Sequence, residues 1–153
     1  MVRYITYNIG EEMFDRDKII YLAGIIDGEG SVQIEIQSQN AVRKMHYYSI
    51  RLLVINTNKD LMDWLSDNFG GKVTARKLIP NRKQCYKWNI CSFKAAEILK
   101  SCIEFMIIKK KGAEVLIEFM QTKPKGTWNV TDEIQKHRKI LYDRLKKLNT
   151  GLL

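Results

Sequence analysis

Asp27 and Glu29 stand two residues apart, interleaved with Gly28 and Gly30, at the end of the apolar run Tyr21-Leu22-Ala23-Gly24-Ile25-Ile26. Such a run reads as a helix. The C-terminal end of a helix carries partial negative charge, so acids are disfavoured there and a basic side chain is the usual choice. A buried helix with a glycine stop accounts for the apolar run and the glycines, but not for the acids. Two carboxylates in that place imply something positive beside them, most simply a metal ion held by oxygen ligands.

The elements that must position this cluster can be read from periodicity. Asp15 or Asp17 caps the first helix, which the pattern carries to about Asp27. Residues 31–39 alternate, with Val32, Ile34 and Ile36 on one face and Gln33, Glu35, Gln37 and Gln39 on the other, as in a half-buried strand. A second strand is predicted over 45–56, with Tyr48, Ile50, Leu52 and Val54 inward and Tyr47, Ser49, Arg51 and Leu53 outward. A helix follows over 59–69, ended by Gly70-Gly71. Strands are predicted over 72–78 and 84–91, joined by a polar turn at Pro80. Helices are expected over 94–106 and 110–121, and a last one opens at Thr131-Asp132-Glu133 and runs to near Leu148.

The first helix has no polar face, since Ile19, Ile20, Leu22, Ala23, Gly24, Ile25 and Ile26 occupy its middle. It must therefore be buried all round. Its own sheet and helices can cover one side only. Ala23 and Gly24 have little or no side chain, so a second such helix can approach closely.

A chain of 153 residues forms one domain, taken here as 1–153, with a sizeable core. Its longest apolar runs are far too short for a membrane span, and nothing resembles a signal peptide, so no membrane partner is expected. Cys85, Cys91 and Cys102 are odd in number and lack Cys-x-x-Cys spacing, which disfavours a disulfide framework or a zinc site and suits a reducing, intracellular compartment. The net charge of +9 suits a polyanionic partner, nucleic acid first.

Residues 22–30 resemble the LAGLIDADG motif. Leu22, Ala23, Gly24, Asp27 and Gly30 match it by letter, Ile25 and Ile26 keep its apolar pair, Gly28 stands for its alanine and Glu29 for its second aspartate. The chain is thereby similar to the LAGLIDADG homing endonucleases. That resemblance implies an α+β fold, α-β-β-α-β-β-α, with a saddle-shaped antiparallel four-stranded sheet that lies on DNA and additional C-terminal helices. It implies a metal-dependent nuclease that cuts both strands of a long pseudo-palindromic DNA target, promotes the mobility of an intron or intein, and leaves short 3′ overhangs.

The motif occurs once, and single-motif members of the family are homodimers. On this resemblance Ile20, Tyr21, Ala23, Gly24 and Asp27 are expected at the dimer interface. Glu29 takes the position of the family's catalytic metal-binding acid, with Gly28 offering a carbonyl and Asp27 as the second motif acid. The metal would be Mg²⁺, with Mn²⁺ able to substitute. Asn56 resembles the polar strand-end that orders active-site water, although Asn56 and Asn58 also read as turn or helix-capping residues. Lys109 resembles the family's basic residue near the active site, and the sequence does not distinguish it from Lys110 and Lys111 or from a solvated lysine run. Family precedent also keeps open an RNA-binding maturase acting on its host intron RNA, or an inactive DNA-binding module. The setting implied is a chloroplast or mitochondrion for an organellar element, and otherwise the cytoplasm of a prokaryote or phage host.

A strand of ten residues spans roughly 33 Å, comparable with about ten base pairs. A β-ribbon fits the major groove, where Gln, Asn, Arg and Lys distinguish bases. The outward faces carry Gln33, Gln37, Gln39, Tyr47, Ser49, Arg51, Thr74, Arg76, Lys87 and Asn89, with Arg43, Lys44, Arg82 and Lys83 in turns suited to phosphate. Glu35 is the exception. An acid facing DNA is repelled unless it accepts from cytosine or pairs with a base such as Arg51.

Overall fold

The computed structural model describes residues 14–37, 47–122 and 130–151, with the side chain of Gln37 excepted. The first helix, α1 (Arg16–Glu29), runs directly into β1 (Gly30–Gln37), which pairs with β2 (Tyr47–Asn56). Helix α2 (Lys59–Phe69) leads to β3 (Lys72–Ala75) and β4 (Tyr86–Cys91). Helix α3 (Ser92–Cys102), a tight turn over Ile103–Phe105, α4 (Lys110–Gln121) and α5 (Asp132–Asn149) complete the described chain. The strands form one antiparallel sheet in the order β1-β2-β4-β3. Gln39, Arg43 and Lys44 fall outside the described residues, as do the ends of the first two predicted strands over 38–46.

Local chemistry sets the boundaries. Asp15 caps α1, its Oδ1 accepting from the N–H groups of Asp17 at 2.9 Å and Lys18 at 3.3 Å. The helix continues past Asp27 through Glu29, so both acids lie within its last turn. Gly30 then turns the chain into β1. Its φ of −77° is ordinary, but a Cβ would sit 2.7 Å from Ile26 Cα, so the strand leaves the helix where only hydrogen fits. Gly70 and Gly71, at φ 71° and 89°, turn α2 into β3 in a backbone region that L side chains rarely adopt.

β3 and β4 are shorter than the alternation predicts, ending at Ala75 and starting at Tyr86. Beyond them Pro80 has no N–H to offer a ladder, Asn81 takes φ 62°, and the Gln84 amide donates to the Arg76 carbonyl at 2.7 Å. Helix α3 also stops early. The Ser101 hydroxyl donates back to the Glu97 carbonyl at 3.2 Å, and the chain tightens into the turn at Ile103.

All five helices pack on one face of the sheet. The core joins Val32, Ile34, Ile50, Leu52, Val54, Trp88 and Ile90 of the strands to Ile19, Leu22 and Ile26 of α1, with Leu65, Leu99, Leu116 and Leu145 from the others. Trp88 is fully buried and donates its indole N–H to the Gly70 carbonyl at 2.7 Å. Cys102 is buried too, and desolvation pushes its thiol up to about 12, which makes it an inert core group. No described helix is long and apolar enough to cross a membrane.

Candidate active site and nucleic-acid interface

At the base of α1 the two acids have different surroundings. The carboxylate of Asp27 turns to the segment just ahead of α4. Its Oδ2 accepts from the N–H groups of Ile107 at 2.6 Å and Ile108 at 3.1 Å, and its Oδ1 from that of Lys109 at 2.9 Å. Lys109 in turn donates its ammonium to the carbonyls of Ile26 at 2.9 Å and Asp27 at 2.7 Å. The last turn of α1 contains no basic residue, and Lys109 supplies that charge from 82 residues away along the chain. Asp27 thus ties down the turn ahead of α4, and Lys109 from that turn caps the end of α1.

Burial alone would push the Asp27 carboxyl up, but the three N–H groups and the Lys109 charge outweigh it and hold its pKa below the ordinary 3.8. Burial lowers the Lys109 ammonium from its ordinary value, and the Asp27 charge offsets part of that.

Asp27, expected as a second metal ligand and at the dimer interface, has both carboxylate oxygens bonded to backbone N–H groups of its own chain. Lys109 is the inward lysine of its triplet, while Lys110 and Lys111 are exposed, but its ammonium lies on helix carbonyls.

Glu29 is exposed and has no acidic cluster around it: among the described residues no group of three or more His, Cys, Asp or Glu could hold a metal ion. Its Oε2 accepts from the Nδ2 of Asn56 at the end of β2. The Asn56 Oδ1 accepts the Asn58 N–H at 2.8 Å, a local turn that aims its NH₂ at the carboxylate. Asn58 caps α2 through the Leu61 N–H at 3.0 Å. The structure therefore divides the two asparagines, with Asn56 beside Glu29 and Asn58 at the helix start. Gly28 is exposed and a Cβ there would meet nothing within 4 Å, so the backbone between the two acids is open to an approaching group.

One face of α1 is bare. Ile20 and Tyr21 are 38% and 56% exposed, and with Gly24, Ile25, Leu61 and Glu29 they line a shallow, mainly apolar cleft of about 520 Å³. A Cβ on Gly24 would meet nothing within 4 Å. Ala23 does not share this face. It is 0% exposed within the chain's own core, because the rotation of the helix places it beside Leu22 and Ile26 rather than Gly24.

The sheet face away from the helices carries most of the polar residues expected there. Register aligns Gln33 with Arg51 and Cys91, and Lys72 with Asn89 and Leu53; Thr74 faces Lys87 and Ile55. Glu35 faces Ser49, and Tyr47 pairs with Gln37 at the far end. Glu35 forms an ion pair with Arg51 at 2.9 Å. Ser31 accepts from the Gln33 amide at 2.9 Å.

Lys72 and Ser31 belong to this face but were not singled out, though their strand parity marks them. Leu53 is buried at 9% although it lies on the outer face. Past the end of β3, Arg76, Arg82, Lys83 and Lys87 join Lys77 around a cleft of about 530 Å³ without an acid in its lining.

No family model matches the chain, and neither does any curated protein sequence. Solved structures do. The homing endonuclease I-CvuI, in complex with its target in the presence of calcium, superposes with a TM-score of 0.72 at 18% identity, covering 87% of this chain and 82% of that one. The archaeal intron-encoded homing endonuclease I-Vdi141I, complexed with DNA, gives 0.73 at 22% identity over 88% and 86%. The LAGLIDADG homing endonuclease I-SmaMI, bound to cleaved DNA, gives 0.64 at 14% identity, and this chain spans 48% of its length. The chain has the LAGLIDADG homing endonuclease fold.

Proposed function

We propose that the chain is a site-specific DNA endonuclease that acts as a homodimer, depends on a divalent metal ion and cuts both strands of a pseudo-palindromic target. The observation that carries this reading is Glu29. It is a carboxylate left open to solvent, aimed by Asn56, at the end of a helix whose other face is apolar and uncovered. One structure of similar fold is bound to uncleaved DNA in the presence of calcium ions, and another holds uncleaved DNA in the presence of magnesium.

The donor set suits a hard cation in kind. Glu29 offers carboxylate oxygen, and the exposed turn at Gly28 adds backbone. One carboxylate per chain is few for Mg²⁺, which takes oxygen ligands and keeps several waters. Pairing two bare α1 faces, with Gly24 allowing close approach, would bring a second Glu29 alongside the first. A divalent ion held there would supply an activated water and neutralise charge on the scissile phosphate. Within each chain Glu29 would hold the ion, Asn56 orients that carboxylate, and the bonds of Asp27 and Lys109 fix the helix end. Mg²⁺ is the proposed ion, with Mn²⁺ as a substitute.

The test is a cleavage selection on randomised duplex DNA in Mg²⁺, beside Glu29→Gln and a chelated control. Discrete metal-dependent cuts are expected, falling by on the order of a hundredfold or more in Glu29→Gln while DNA binding persists. Light scattering on the selected duplex should find two chains. Undiminished cutting by Glu29→Gln would refute the site, and a single chain on DNA would refute the dimer.

A further inference from the structure

Arg51 and Glu35 sit on the outer sheet face and meet diagonally. Gln33 and Ser49 are their direct cross-strand partners, yet the Arg51 Nη2 reaches the Glu35 Oε2 at 2.9 Å. The side chains remain 25% and 33% exposed. The Arg51 Nε is buried and has no partner among the described residues, so the guanidinium is seated with its Nε against the sheet.

A guanidinium has five N–H bonds and no acceptor, and a carboxylate only accepts. The Nη2 faces Glu35 in the ion pair and the Nε is covered. The Nη1 and Nη2 groups have protons left to donate, with the Glu35 carboxylate able to accept beside them. The pair therefore presents donor, donor and acceptor in sequence. The major-groove edge of a G·C pair presents the complement: acceptors at guanine N7 and O6, then the amino donor of cytosine. An A·T pair would place the adenine amino donor against an arginine donor and leave a charged group unsatisfied.

We infer that Glu35 and Arg51 act as one unit that reads a single G·C pair in each half-site, Arg51 on the guanine and Glu35 on its cytosine. The inference rests on the proposed DNA-binding reading. It also gives the acid on this face a purpose, since a lone Glu35 would repel DNA whereas the paired one is neutralised and still accepts.

The experiment is a binding selection from randomised duplex DNA by the full chain in Ca²⁺, so that cutting plays no part. The wild type should select G·C at one symmetric position per half-site, and placing A·T there should weaken binding by about ten- to a hundredfold. Arg51→Lys keeps the charge but not the fork and should cut that discrimination to under about threefold. Glu35→Gln puts a donor beside the cytosine amino group and should relax the same position and no other. Uniform weakening across all sequences in Arg51→Lys would make Arg51 a phosphate contact and overturn the inference. A selected site whose preferences neither variant alters would also overturn it while leaving site-specific binding in place. Failure to select any duplex would overturn the inference together with the reading beneath it.

Discussion

Asp27 and Glu29 share one helix end and differ in what answers their charge. Asp27 is met by three N–H groups and a lysine from the same chain; Glu29 is met by one amide and by solvent. A carboxylate whose oxygens are already taken has little left for an external cation, whereas one with a single neutral donor still lacks compensation. The first is therefore compensated within the fold and the second is not. An acidic motif can thus divide its labour between neighbouring positions, and only the tertiary partners say which acid does which.

The largest effect that would sharpen this contrast lies in Glu29→Gln. Cleavage should collapse as described, while urea unfolding moves by no more than about 0.5 kcal/mol, as for surface positions in general. A large loss of stability in that variant would erase the distinction. Asp27→Asn should do the reverse, lowering unfolding free energy by on the order of 2–3 kcal/mol, because the amide puts an NH₂ against backbone donors. If its stability equals that of the wild type, the Asp27 bonds contribute nothing.

A smaller effect is expected at Asn56→Ala. Cutting should fall by about tenfold as Glu29 loses its orienting amide, and unfolding should shift by roughly 1 kcal/mol. The smallest is a pH dependence. Asp27 titrates below its ordinary 3.8 when folded, so its stabilisation is complete above that value and is lost as pH falls through the lower folded value. The stability gap between wild type and Asp27→Asn should therefore narrow in acid below pH 3.8 and stay level above it. A gap that widens there would reverse the assigned sign.

Several features were legible from the sequence because their causes are local. Asn58 at its start and Gly70-Gly71 at its end bound α2 where expected, and α4 likewise spans Lys110–Gln121. Period-two alternation put Val32, Ile34, Ile50, Leu52 and Val54 inward, and anticipated the Glu35–Arg51 pair. Long-range causes stayed hidden. The partners of Asp27 lie at residues 107–109, and no local pattern links them to it, so a metal was the simplest source of positive charge. On a helix apolar all round, sequence cannot give the rotation that buries Ala23 and bares Gly24. The β3–β4 tip kept its alternation, but Gln84 and Pro80 diverted the backbone bonds that a longer ladder needs.

The tie between the end of α1 and the turn ahead of α4 also orders events in time. On a ribosome the motif helix emerges first, and about eighty further residues must follow before Ile107, Ile108 and Lys109 exist to close its end. Closing so long a loop is slow compared with forming either helix. A nascent chain that has not yet reached residue 109 thus carries the motif without its clamp, and the helix end that bears Glu29 is left open until then.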